Sequence, residues 1–129
     1  MILNFTVLKG NYFIYKFKHD EELPDWIYFC DFYSVTKTTD EISVVTSRSG
    51  SLPEGTEVNK DWRILKINGP LDFSLIGIIA GISNILKQEK ISIFTISTYD
   101  TDYILVGQKD LSHAVEALRE KGHNVISES

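Results

Sequence analysis

The sequence predicts an α+β chain, with two helices packed on one face of a largely antiparallel sheet in its C-terminal half and a shorter, β-rich half before it. Three observations carry this reading. Leu75, Ile79, Ile82 and Leu86 recur at helical spacing, with Ile78 and Ile85 widening the apolar face. Leu111, Ala114, Val115 and Leu118 form a second apolar stripe of the same period. Short β-branched runs flank and separate the two stripes, so residues 62–126 read β-α-β-β-α-β, the split βαβ or ferredoxin-like order.

From the N-terminus, Leu3, Phe5 and Val7 alternate, and so do Phe13, Tyr15 and Phe17 after Lys9-Gly10-Asn11. Alternation with a glycine turn between predicts a β-hairpin over residues 3–17. Residues 23–32 open on Leu23-Pro24 and are compatible with a helical turn or an extended segment. Residues 33–36 and 41–45 read as a strand pair around Lys37-Thr38-Thr39-Asp40. Residues 47–61 are rich in Ser, Gly, Pro, Glu and Asn, which predicts a linker with a boundary near 58–61 and two units, 1–59 and 60–129. In the second unit, residues 63–67 read as a strand that Asn68-Gly69-Pro70 ends, and residues 71–89 as a helix. Strands follow over 91–98 and 103–106, joined by Tyr99-Asp100-Thr101-Asp102. Asp110 is the expected N-cap and Gly122 the expected stop of a helix over 111–121, and residues 123–126 read as a last strand.

Composition removes several function classes. The 129 residues carry 13 Lys and Arg against 18 Asp and Glu, a formal charge of −5. A nucleic-acid binder normally needs a basic face, so no nucleic-acid partner is expected. The longest apolar run, residues 75–82, falls well short of the roughly 20 residues needed to cross a bilayer. The first residues lack a basic n-region and a small-residue cleavage site, so a cytoplasmic location without membrane contact is expected. The single cysteine, Cys30, cannot close an internal disulfide. His19, His113, His123 and Cys30 show no metal-ligand spacing, and no phosphate-cradling or nucleophile motif is present, so no metal, cofactor or catalytic residue is assigned.

Two features exceed what a fold alone requires. Gly77 and Gly81 lie one helical turn apart in a strip extended by Ser74 and Asn84, which predicts close packing, within the chain or between subunits. The run Ser97-Thr98-Tyr99-Asp100-Thr101-Asp102 sets two carboxylates among hydroxyls between two apolar strands, where a plain polar hairpin needs neither. A helix starting near residues 69–72 offers unpaired N–H groups to an α-carboxylate. Asp72, Asp100 or Asp102 can take the matching ammonium, which together make an amino-acid site.

The run WRILKINGPLDFSLIGIIA (62–80), followed by ISIFTISTYDTDYILV (91–106), resembles ACT domains. More narrowly it is similar to the small bacterial tandem-ACT proteins related to the CASTOR arginine sensors, and FYSVTKTTDEISVV (32–45) resembles the N-terminal half of that family. The resemblance implies a C-terminal ACT domain of ferredoxin-like βαββαβ type, preceded by a shortened, β-rich ACT-like unit, neither of them catalytic. It further implies a regulatory module that binds an amino acid or similar small ligand at an interface between ACT units. Carried over by position, the ligand-binding residues are Gly69, Pro70, Leu71 and Asp72 in the turn, Ser92 and Ile93 on the strand, and Ser97, Thr98 and Asp102 around the loop, with Asp102 the charged anchor. A homodimer is expected, because one chain of this length holds too few ACT units for that arrangement. The sensors are longer, so neither arginine nor their signalling partner follows from the resemblance. The competing readings are an ACT dimerisation or protein-interaction module with no ligand, and an enzyme using Asp100 and Asp102 as an acid/base pair. Such pairs usually converge from separate elements, which disfavours the enzyme.

Overall fold

A computed structural model describes residues 1–72 and 76–128. Along the chain run β1 (Asn4–Val7), β2 (Tyr12–Phe17), a 3-10 turn (Asp25–Phe29), β3 (Tyr33–Lys37), β4 (Ile42–Thr46) and β5 (Glu57–Ile67). Then follow α1 (Ile78–Gln88), β6 (Ile93–Ser97), β7 (Asp102–Gly107), a 3-10 turn (Gln108–Asp110), α2 (Leu111–Glu120) and β8 (Asn124–Ser127). The chain divides into two compact units, one of residues 10–62 and one of residues 1–9 with 63–129.

The larger unit has the predicted α+β class and contains the six predicted elements: the 63–67 part of β5, α1, β6, β7, α2 and β8. It also contains a seventh. β1 lies between β5 and β8, antiparallel to the first (Phe5 opposite Ile67, Val7 opposite Leu65) and parallel to the second (Phe5 opposite Val125). β7 completes the sheet by pairing with β5 and β6. The predicted hairpin over residues 3–17 is therefore corrected, because β1 and β2 do not pair. Alternation shows that a strand has a buried face but does not say which core that face joins. Phe5 and Val7 bury against Leu65, Ile67, Ile82, Leu86, Ile104 and Leu118.

α1 also differs from expectation, starting at Ile78 rather than residue 71. Its N-cap, Gly77, has a left-handed φ of 77°, which ends helical geometry there. The Leu71 N–H is already committed to the Asp100 carbonyl at 2.7 Å. The expected helical positions 73–75, including Leu75 and Ser74 of the glycine strip, lie outside the described residues. A Cβ built at Gly81 meets nothing within 4 Å, so the strip makes no close approach within the described chain. α2 matches its stripe. Asp110 holds the N-cap position without a side-chain bond, and Gly122 ends the helix at a φ of 91°.

In the smaller unit β4 pairs antiparallel with both β2 and β3, as the 33–36 and 41–45 runs predict for the latter pair. The 3-10 turn lays Ile27 into a cluster with Tyr15, Phe17, Ile42 and Val44. The expected linker is shorter than its composition suggests. Residues 57–59 pair with β2, through Lys16 opposite Glu57 and Tyr15 opposite Val58. All of residues 57–61 are exposed, so this part of β5 has no apolar face for a hydropathy pattern to reveal. Among the described residues no helix is long and apolar enough to cross a membrane.

Two outcomes follow. The Tyr15 side chain is 1% exposed and its hydroxyl has no hydrogen-bond partner among the described residues. Tyr15→Phe is expected to raise stability by about 1 kcal/mol, by removing a desolvated polar group; a loss in equilibrium denaturation would refute this. The Leu3 N–H donates to His123 Nδ1 at 3.0 Å, and Phe5 meets the ring edge-on. Burial, then the positive N-terminal amine, lower the pKa of His123 below 6.5. The unfolded chain therefore takes up this proton first. Stability is complete above pH 6.5 and falls as pH drops below it. Denaturant titrations at several pH values should show a shallower decline for His123→Gln; an unchanged slope removes His123 from the effect.

Candidate functional site

The polar run between β6 and β7 closes on itself before it presents anything outward. The Thr98 N–H donates to the Thr101 carbonyl at 2.8 Å, and the Thr101 N–H to Thr98 Oγ1 at 3.3 Å. Thr101, 6% exposed, sends its hydroxyl inward to the Ile67 carbonyl at 2.6 Å. The turn that follows β5 docks on this loop. The Leu71 N–H donates to the Asp100 carbonyl, and a Cβ on Gly69 would stand 3.0 Å from that same oxygen. Only glycine lets the turn come so near without displacing the loop backbone. The Gly69-Pro70 peptide is cis.

These contacts frame a pocket of about 470 Å³ between the turn, the first turn of α1 and the loop. Leu71, Asp72, Ser97, Thr98 and Asp102, all expected site residues, line it. Gly69 and Pro70 do not; Gly69 braces the turn from behind. Ser92 and Ile93 are not brought to this pocket. Ile93 pairs with Val106 and packs on the core, at the far end of β6 from Ser97, about 13 Å away at the usual strand rise. The expected helix start at residues 69–72 is likewise replaced by the start at Ile78.

Sequence reasoning missed the N-terminal turn of α1. Gly77, Ile78, Ile79 and Ala80 line the pocket with Tyr99, Asp100 and Thr101. The N–H groups of Ile78, Ile79 and Ala80 precede the first intrahelical bond, from Gly81 to the Gly77 carbonyl, and carry the positive end of the helix. The shift was hidden because the apolar period runs smoothly through the residues before Ile78; the one available signal was Gly77, read as part of a packing strip.

The site is electrostatically lopsided. Asp72, Asp100 and Asp102 line it, and among the described residues no Lys, Arg or His does. Ser97 and Asp102 face each other across the β6–β7 pair, and the Ser97 hydroxyl donates to Asp102 Oδ1. That bond fixes the carboxylate while leaving its other oxygen outside the pair. Among the described residues no group of three or more His, Cys, Asp or Glu is placed to hold a metal ion.

Comparison with known proteins gives a consistent family. The ACT domain profile matches residues 57–120, and an N-terminal-domain profile matches residues 10–53. A structurally characterised protein from Agobacterium tumefaciens is 31% identical, with a TM-score of 0.89, over 100% of this chain and 96% of that one. The cytosolic arginine sensor for mTORC1 subunit 1 of Bos taurus is 30% identical over 101 residues. That match takes in 69% of this chain but only 30% of the sensor. An aspartate kinase from Clostridium acetobutylicum shares the fold, with a TM-score of 0.65 at 16% identity over 87% of this chain and 33% of that one.

The Thr101 hydroxyl is the inward anchor of the loop. Thr101→Val leaves the Ile67 carbonyl without its donor, and a loss of about 1–3 kcal/mol is expected. Faster amide exchange at Leu71 should accompany it; unchanged exchange would show that the turn holds the loop without Thr101.

Proposed function

The chain belongs to the ACT domain family, and on that premise we propose that it is a non-catalytic regulatory module that binds an amino acid. The binding site is the pocket between the 69–72 turn, the first turn of α1 and the 97–102 loop. One observation supports this most: Ile78, Ile79 and Ala80, whose N–H groups open α1, and the acidic residues Asp72, Asp100 and Asp102 line the same cavity of about 470 Å³. That is the charge pattern of a zwitterion, positive where its carboxylate sits and negative where its ammonium sits. The volume is within the usual range for small-molecule sites. Asp102, steadied by Ser97, takes the ammonium.

Asp100 and Asp102, with no Lys, Arg or His among the described lining residues, favour a ligand with a further positive charge. Arginine and lysine therefore lead, and aspartate and glutamate come last. The name of the matched sensor points the same way. Ser92 and Ile93 have no part in this site within one chain. A second copy closes it in this reading, because Ile76 (92% exposed) adjoins the lining residue Gly77, and Tyr99 (81% exposed) lines the cavity itself. The working form is then a cytoplasmic homodimer.

A thermal-shift screen of the amino acids tests the reading, since a ligand that binds only the folded state raises its stability. A basic amino acid should raise the melting temperature and, in light scattering, favour the dimer. Asp102→Asn should weaken its binding by about 2 kcal/mol or more. Absence of a shift from every amino acid would overturn the proposal, and equal affinity in the variant would remove Asp102 from the site.

A further inference from the structure

In the larger unit, two arginines without a carboxylate in ion-pair range among the described residues line one groove. Arg63 on β5 and Arg119 on α2 line a groove of about 820 Å³ whose apolar wall is Val7, Leu111 and Val115. The Arg63 Nη2 donates to the Leu8 carbonyl at 3.1 Å and Nη1 reaches Gln108 Oε1 at 3.5 Å. Its Nε is buried and has no partner among the described residues. The Arg119 Nη2 donates to the Val125 carbonyl at 2.8 Å. Glu116 and Glu120 border the same groove, yet among the described residues neither guanidinium has a carboxylate oxygen within 4.0 Å.

This arrangement is costly as it stands. A guanidinium carries five N–H donors, and these two spend three between them, on neutral acceptors. Carbonyl dipoles orient the two forks but do not neutralise their charge; Arg119 is exposed, so water serves its spare donors, and the cost of a buried donor left unmade falls on Arg63 Nε alone. A planar oxyanion answers both demands, since one carboxylate can accept from two guanidinium N–H groups at once. We infer that the Arg63–Arg119 groove is a second ligand site, taking the carboxylate of a small organic acid whose apolar body lies on Val7, Leu111 and Val115. The apolar wall favours such an acid over inorganic phosphate, which has no surface to place there. The site shares no residue with the acidic pocket and stands or falls independently of the amino-acid reading.

The experiment follows the Nε–H signals of both arginines in the full ¹⁵N-labelled chain by NMR. Isovalerate, acetate and inorganic phosphate are titrated separately at constant ionic strength. None of the described residues lining the acidic pocket is an arginine, so a carboxylate taken by the helix N–H groups there does not enter this readout. A saturable shift of the Arg63 signal is expected, with isovalerate tighter than acetate and acetate tighter than phosphate. Arg119→Gln should weaken isovalerate by about tenfold or more while the Arg63 signal remains to report it. Arg63→Lys, which keeps the charge and loses the fork, should weaken it similarly; if that variant does not fold, Arg119→Gln alone decides. Shifts that stay linear with every probe, or an unchanged isovalerate affinity in Arg119→Gln, overturn the site. Tighter binding of phosphate than of isovalerate overturns the carboxylate assignment.

Discussion

The larger unit depends on four residues from the opposite end of the chain. Asn4–Val7 lend one backbone edge to β5 and the other to β8, so the sheet reaches its last strand only through them. Leu3 tightens the junction with both main-chain groups: its carbonyl accepts from the Asn124 N–H at 3.0 Å, and its N–H donates to His123. Asn124 Nδ2 adds a side-chain bond to Asn4 Oδ1 at 2.9 Å. A parallel pair cannot be closed by a tight turn, and here its members come from opposite ends of the sequence. Such a contact carries a large loop-closure cost and must be held by burial. Phe5 at 1% and Val7 at 5% exposure supply it.

The same strand explains where the sequence was readable and where it was not. The period of α2 and the alternation in β6 and β7 are local, and each implied its element with nearly the right bounds. Pairing is not local. Leu3, Phe5 and Val7 alternate in a way that suits a hairpin with β2 equally well, and nothing between residues 3 and 17 distinguishes the two cores. The polar start of β5 was hidden for a related reason, since residues bonded through their backbones alone leave no hydropathy mark.

The candidate site was legible in its polar half only. Asp72, Ser97, Thr98 and Asp102 stand out because carboxylates and hydroxyls are unusual between apolar strands. The helix N-terminus did not stand out, because its contribution comes from main-chain N–H groups that every residue possesses. Gly77 decides where those groups begin, and its left-handed backbone cannot be told from sequence apart from a glycine kept for packing. Ser92 and Ile93 were placed by resemblance, and the β6 register puts Ile93 opposite Val106, at the far end of the strand from the loop, with the exposed Ser92 just before it.

The polar run also separates into two jobs. Thr98 and Thr101 close the loop on itself, and Thr101 ties it to the end of β5. Their hydroxyls are consumed by backbone partners, as is usual for short polar side chains in turns. Asp100 contributes its carbonyl to Leu71, so its structural role is played by the main chain and its carboxylate is left over. Asp102 is held by one hydroxyl, through one oxygen. Neither acidic side chain is needed to build the loop, since Asn at either position would preserve those main-chain bonds. A loop that needs only its hydroxyls, yet gathers negative charge opposite the positive end of a helix, has carboxylates to spare for the amino acid we propose it binds.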